Sequence, residues 1–254
     1  MTPRVLLIHG AFCGGWAFDR FRRRLEAAGW DCLAPDLPGH GPGSDPNDVA
    51  RLSMSDYASA VRTLIDAEPC PPILVGHSMG GLVAQLAATQ TAVAALALLA
   101  PSAPWGIAGQ SLEEAVSAFG LYALGPYWTQ PVAPDRSLAR LYSLDRMAPD
   151  EAEGALERMC AESGRALFET LNWWLDPFLT TRVDASRINC PVYAAVGEAD
   201  IIHPPATVRQ TAAKLGVSAE VFPNMSHWLI GEVGFEAVAD ACLSFFETGL
   251  ALRH

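Results

Sequence analysis

The sequence is short of basic residues and of charge in general. Lys and Arg total 17 against 28 Asp and Glu, a formal net charge of −11, and only 18 % of residues are charged. A nucleic-acid partner is therefore not expected, because such binding needs basic patches that displace counterions from phosphates. Long apolar runs are also missing. The longest, Ala92 to Ala103, falls short of the roughly 18 to 20 residues that cross a bilayer, so no membrane association is expected. Met1-Thr2-Pro3-Arg4 leads straight into Val5-Leu6-Leu7-Ile8, without the apolar stretch and small-residue cleavage site of a secretory signal, and the expected location is cytoplasmic. The six cysteines, Cys13, Cys32, Cys70, Cys160, Cys190 and Cys242, contain no C-x-x-C pair, which argues against a zinc or thioredoxin-like site. In a reducing compartment they read as small buried hydrophobes. Clustered His and carboxylate ligands are lacking as well, so neither a metal nor another cofactor is expected. No internal repeat or low-complexity tract is visible.

What is present is a core-forming chain. At 254 residues and 50 % hydrophobic content it is too apolar to be disordered. At roughly 150 residues per domain it is one large domain or one domain with an insertion. Short apolar runs at 4–9, 31–34, 72–76, 95–100, 192–196 and 219–222 suit strands buried on both faces of a parallel sheet. Helical patterns alternate with them at 16–28, 53–67, 79–89, 205–215 and 235–248, and Gly29, Gly216 and Gly249 stand just past three of these, where a helix end favours glycine. Strand alternating with helix predicts an α/β doubly wound sheet.

From about Ala103 to Arg187 the alternation stops. The stretch has helical patterning, no convincing strand, and four of the seven tryptophans: Trp105, Trp128, Trp173 and Trp174. It reads as a helical cap inserted between two sheet strands. The expected division is a core of residues 1–102 and 188–254 with a cap, or lid, of residues 103–187.

The sharpest chemical signal is Ile73-Leu74-Val75-Gly76-His77-Ser78-Met79-Gly80-Gly81. An apolar strand runs into G-x-S-x-G and then into a helical stretch, a turn that exposes a strained serine. Gly76 and Gly80 remove side chains that would collide across it. A nucleophilic serine needs donors for the oxyanion of a tetrahedral intermediate. Backbone N–H groups of Met79 and of Ala11, in Ile8-His9-Gly10-Ala11-Phe12, are placed to serve. His9 itself reads as a structural residue that hydrogen-bonds within its loop. Past two late strands come Gly197-Glu198-Ala199-Asp200 and Asn224-Met225-Ser226-His227. The order serine, acid, histidine fits a triad built from the carboxyl ends of successive parallel strands. His227 has the expected chain position, whereas His77 is pointed away by its neighbour Ser78, His40 lies in a turn-rich loop and His254 is terminal. His203 follows Asp200 by three residues. Asp200 sits deeper in its loop than the rival Glu198.

Taken together these motifs resemble the α/β-hydrolase superfamily, over nearly the whole chain from Val5 to about Phe246. The opening Ile8-His9-Gly10-Ala11-Phe12-Cys13-Gly14-Gly15-Trp16, with Leu25-Glu26-Ala27-Ala28-Gly29-Trp30 and Ala34-Pro35-Asp36-Leu37, is similar to the branch of small plant methyl esterases and hydroxynitrile lyases. The resemblance implies an α/β-hydrolase fold with a six-stranded, mainly parallel sheet flanked by helices. It also implies Ser78, Asp200 and His227 as triad and Ala11 and Met79 as oxyanion donors. The lyases of this branch carry threonine after the loop histidine and lysine after the catalytic histidine; Gly10 and Trp228 stand here instead, which favours hydrolysis. The expected activity is a cofactor-independent serine hydrolase that cleaves small-molecule carboxylic esters through an acyl-enzyme. Phe12, Trp105, Trp128, Trp173, Trp174 and Trp228 are its candidate pocket residues. A thioesterase or carbon–carbon bond hydrolase with the same triad, and a ligand-binding receptor on the same fold, are the alternatives.

Overall fold

In the computed structural model, residues 2–109 and 120–251 are described. The six apolar runs form strands that hydrogen-bond into one sheet: β1 (Val5–Ile8), β2 (Cys32–Leu33), β3 (Ile73–His77), β4 (Ala95–Leu99), and, beyond a long connection, β7 (Val192–Gly197) and β8 (Ala219–Phe222). The order is β2-β1-β3-β4-β7-β8, and every neighbouring pair is parallel. Such strands are apolar on both faces because each face carries its own core. Val5, Leu7, Ile73, Val75, Ala95 and Ala97 point into one hydrophobic cluster, and the alternate residues Leu6, Ile8, Leu74, Leu96 and Leu98 into the other, as the two-residue period of a strand requires.

Helices close both faces. On the first lie α1 (Asp19–Ala27), which follows a 3-10 turn at Gly15–Phe18, and the C-terminal α7 (Phe235–Ala251). On the second lie α2 (Met54–Asp66), α3 (Met79–Ala88) and α6 (Pro205–Lys214). The start of α2 is set by a capping box in which Ser53 and Asp56 satisfy each other's backbone N–H, a pairing typically worth about 1 kcal/mol. Gly29 and Gly216 end α1 and α6 at φ +92 and +76, as expected of C-terminal glycines. Gly249 does not end its helix: α7 continues through it to Ala251. A Cβ there would come within 3.3 Å of Pro191 Cβ, so close packing against Pro191 is the constraint on this glycine.

Between β4 and β7 the described residues are mostly short helices, with α4 (Pro149–Arg158) and α5 (Gly164–Leu171) the longest. The expectation of no strand in this stretch is corrected. β5 (Pro131–Val132) and β6 (Glu162–Ser163) form an antiparallel ribbon, two residues long on each side and too short for any periodicity to announce. Among the described residues no helix is long and apolar enough to cross a membrane.

Candidate active site

The strand order doubles back at the centre of the sheet. The chain runs from β1 outward to β2 and returns to place β3 on the other side of β1, which makes the carboxyl ends of β1 and β3 a topological switch point, the place where open α/β sheets bind ligands. Ser78 follows β3 there, as the residue before α3. Its backbone sits at φ 54, ψ −126, a region costly for any residue but glycine and found where the surroundings enforce it. The surroundings are close: a Cβ on Gly76 would lie 2.5 Å from the Gly80 carbonyl oxygen, and one on Gly80 only 2.2 Å from that of Ile8. Ser78 N–H donates to Leu99 O at 3.0 Å, while its own carbonyl accepts from Gly81 and Ser102 at 2.9 Å. The strain is thus held by β4 on one side and α3 on the other.

Two later loops complete a hydrogen-bonded chain. His227, past β8, places Nε2 3.1 Å from Ser78 Oγ and Nδ1 2.9 Å from Asp200 Oδ2. Asp200, past β7, accepts the N–H groups of Ile202 and His203 at its other oxygen, each at 2.9 Å. The Asp200 side chain is 0 % exposed. Burial alone would raise its pKa, but the charge and hydrogen bond of His227, helped by His203, hold it below the usual aspartate value. An ionised acid therefore faces Nδ1, so Nδ1 carries the proton and Nε2 presents a lone pair to the serine. Glu198, the rival acid, accepts instead from Asn224 N–H at 3.3 Å.

Neutral histidines flank His227. The His77 and His203 rings lie 5.0 and 5.2 Å from it. Burial, reinforced by His227, depresses their pKa values to about 3 and about 4. His77 donates from Nε2 to the His227 carbonyl at 2.8 Å and so orients the loop. Its Nδ1 is buried with no partner among the described residues. His203 meets Ser102 Oγ at 2.9 Å. Glu232 accepts the Ser226 N–H at 2.7 Å, and burial raises its pKa to about 7. His9 is fully buried, with one ring nitrogen 2.8 Å from Gly10 O and the other accepting from Leu37 N–H at 2.9 Å; it braces two loops.

On the other side of Ser78 lies the loop after β1. A Cβ on Gly10 would stand 2.9 Å from Ser78 Cβ, so only glycine lets this loop approach. Phe12 has φ 63, and its N–H turns away to Glu162 at 3.3 Å. Phe12 and Ala11 pack against a small cluster of Tyr127, Val132 and Leu167, and Trp128 adjoins it through Tyr127 and Phe168. Trp105, Trp173 and Trp174 form a second aromatic group, with ring centroids 5.3 and 5.8 Å apart. Trp228 belongs to neither. It is 4 % exposed and packs against Trp16 and His77.

Sequence reasoning did not single out Glu162, which is buried and bound to His40 and Tyr57. Its partners lie 105 and 122 positions away, so no local pattern marks them. Among the described residues no group of three or more His, Cys, Asp or Glu side chains is arranged to hold a metal ion.

Comparison with known proteins identifies the family and the fold. A family model described as "Alpha/beta hydrolase family" matches residues 5–241. The chain is 30 % identical over 226 residues to a pimeloyl-[acyl-carrier protein] methyl ester esterase of Neisseria meningitidis, covering 80 % of this chain and 78 % of that one. A pyrethroid hydrolase of Sphingobium wenxiniae is 39 % identical over 77 residues, which cover 30 % of this chain and only 27 % of that protein. The crystal structure of the methylesterase protein MES16 from Arabidopsis superposes with a TM-score of 0.74 at 19 % identity, over 96 % of this chain and 99 % of that one, a likeness of fold.

Proposed function

Since the chain belongs to the alpha/beta hydrolase family, we propose that it is a serine hydrolase of small-molecule carboxylic esters, with Ser78 as nucleophile, His227 as general base and Asp200 as its partner. The observation that carries the reading is the continuous Ser78–His227–Asp200 hydrogen-bond chain, 3.1 and 2.9 Å long in its two links. Ser78 Oγ attacks the ester carbonyl and gives its proton to His227 Nε2. The imidazolium, stabilised by Asp200, returns that proton to the departing alcohol. Water, deprotonated by the same nitrogen, then releases the acid from Ser78.

The oxyanion of each tetrahedral state falls between the N–H groups of Met79 and Ala11. Met79 opens α3, so its amide belongs to a helix N-terminus that favours negative charge. Phe12 cannot serve, because its N–H is committed to Glu162. Residues 103–187 act as the cap over the core of residues 1–102 and 188–254. Phe12, Trp105, Trp128, Trp173 and Trp174 supply apolar walls that suit a neutral or aromatic ester. The methyl ester esterase among the relatives supports ester chemistry over thioester or carbon–carbon cleavage. No cofactor enters the sequence of steps.

The test is a panel of p-nitrophenyl esters, methyl esters, acyl-thioesters and a vinylogous diketone, with Ser78→Ala beside the wild type. Turnover of the esters that is lost in the variant supports the proposal. Equal, negligible rates on every substrate overturn it in favour of a ligand-binding role.

A further inference from the structure

We infer that Glu162, which reaches the core from the segment between β4 and β7, is a positioning residue for the oxyanion loop, so that the cap residues complete the oxyanion site as well as covering it. The inference rests on the esterase reading above.

Glu162 lies in β6 and is fully buried. Its carboxylate accepts four donors: His40 Nε2–H at 3.0 Å and Phe12 N–H at 3.3 Å on Oε2, Tyr57 O–H at 2.6 Å and its neighbour Ser163 N–H at 2.7 Å on Oε1. An unpaired buried carboxylate would be prohibitively costly, and His40 supplies the charge. The other ring nitrogen of His40 stands 3.0 Å from the Pro38 carbonyl. Both nitrogens thus face acceptors, which requires both to be protonated and the ring to be a cation. His40 and Glu162 side chains are both 0 % exposed. They form a water-excluded ion pair between the loop after β2 and β6, with charge-assisted bonds of the stronger kind.

The use of that pair lies in what else Oε2 holds. Phe12 sits at φ 63, a conformation that persists in a bulky residue only when its surroundings over-determine it. Its N–H is held by Glu162, and its C=O accepts the Cys160 N–H at 3.0 Å. Both peptide groups of Phe12 are therefore fixed by residues of one short stretch, 160–162. Two residues back, Gly10 abuts Ser78. Ala11 lies between these two anchors, and the direction of its N–H follows from them. Tyr57 and His40 serve the same end by fixing the carboxylate itself. Nothing in the proposed chemistry needs a buried ion pair here, since no proton passes through it.

The consequence is specific. Loss of the Glu162 carboxylate frees Phe12 N–H and lets the Ala11 amide swing from the oxyanion. Removing one oxyanion donor outright costs roughly 100- to 1,000-fold in kcat. Loosening it should cost about 10- to 100-fold, with KM for p-nitrophenyl acetate changed by less than about twofold. Phenylboronic acid, which forms a tetrahedral adduct on an activated serine, should bind more weakly in proportion to the fall in kcat. A residue that only stabilises the fold would lower Tm without moving either quantity.

The experiment compares wild type, Ser78→Ala, Glu162→Ala, the double variant His40→Leu with Glu162→Leu, and Val61→Ala as a stability control in the core of α2. The double variant removes both charges together and so avoids a lone buried ion, but it still lacks the acceptor for Phe12. The expected result is a fall in kcat and in boronate affinity in both Glu162 variants. Val61→Ala should keep both and lose only Tm. If Glu162→Ala does not fold, the double variant decides. Glu162 variants that fold and keep kcat within about twofold of wild type, beside a wild type whose activity depends on Ser78, overturn this inference alone. Equal rates of wild type and Ser78→Ala instead overturn the esterase reading on which it rests.

Discussion

Asp200→Asn changes no shape and reverses the sense of one hydrogen bond. Asp200 Oδ1 accepts two backbone N–H groups, from Ile202 and His203, each at 2.9 Å. Those donors need an acceptor, so the asparagine oxygen takes that place and its NH2 turns to His227 Nδ1. Nδ1 must then accept, and the ring proton moves to Nε2, 3.1 Å from Ser78 Oγ. The base is still in position but has no lone pair for the serine proton. The loss of kcat should be about 10,000-fold, or ~5.5 kcal/mol of transition-state stabilisation. Tm should stay near that of wild type, because the packing and both loop bonds survive. Steady-state hydrolysis of p-nitrophenyl acetate with a Tm measurement alongside makes the check. A folded Asp200→Asn that retains a tenth or more of wild-type kcat would refute the reasoning.

Further outcomes follow from the same contacts. His9, His77 and His203 are buried with pKa values lowered by burial to about 4, 3 and 4. The unfolded chain, with histidines near pH 6.5, binds protons first as pH falls. Stability is full above pH 6.5 and declines below it by up to about 1.4 kcal/mol per pH unit for each of them. His40, whose value is raised by Glu162 against the effect of burial, acts in the opposite direction and loses its contribution as pH rises above 6.5; a Tm that is flat from pH 6.5 to 4.5 contradicts the first statement. Gly80→Ala should cost about 3 kcal/mol or more or prevent folding, since its Cβ would meet the Ile8 carbonyl oxygen at 2.2 Å; normal expression and Tm would show that the turn can relax. Trp228→Ala should lower stability by about 3 to 5 kcal/mol while KM for small esters is unchanged, and a large rise in KM at constant Tm would place Trp228 in the pocket instead.

The sheet is legible in the sequence because each strand is buried on both faces. Runs such as Ile73–Val75 and Ala95–Leu99 are then continuously apolar and bounded by turns. The strained serine is legible for a related reason: the glycines at 76 and 80 that the turn demands lie within two residues of Ser78. Asp200 and His227 are legible only through chain order, since nothing local shows that they meet across 27 positions. The inter-strand segment is harder to read. β5 and β6 are too short for a period, and Glu162 is one acid among many until the fold brings His40, Tyr57 and Phe12 to it. Gly249 misleads through position. A glycine near a helix end is judged by neighbours in sequence, whereas Pro191, its neighbour in space, lies far along the chain.

Reaction with a fluorophosphonate probe, read by intact mass beside Ser78→Ala, tests the central claim most directly. One adduct on the wild type and none on the variant is the predicted result, because only a serine paired with an activated histidine attacks the probe readily. No adduct on the folded wild type, or an equal adduct on both proteins, would contradict the assignment of Ser78 as nucleophile.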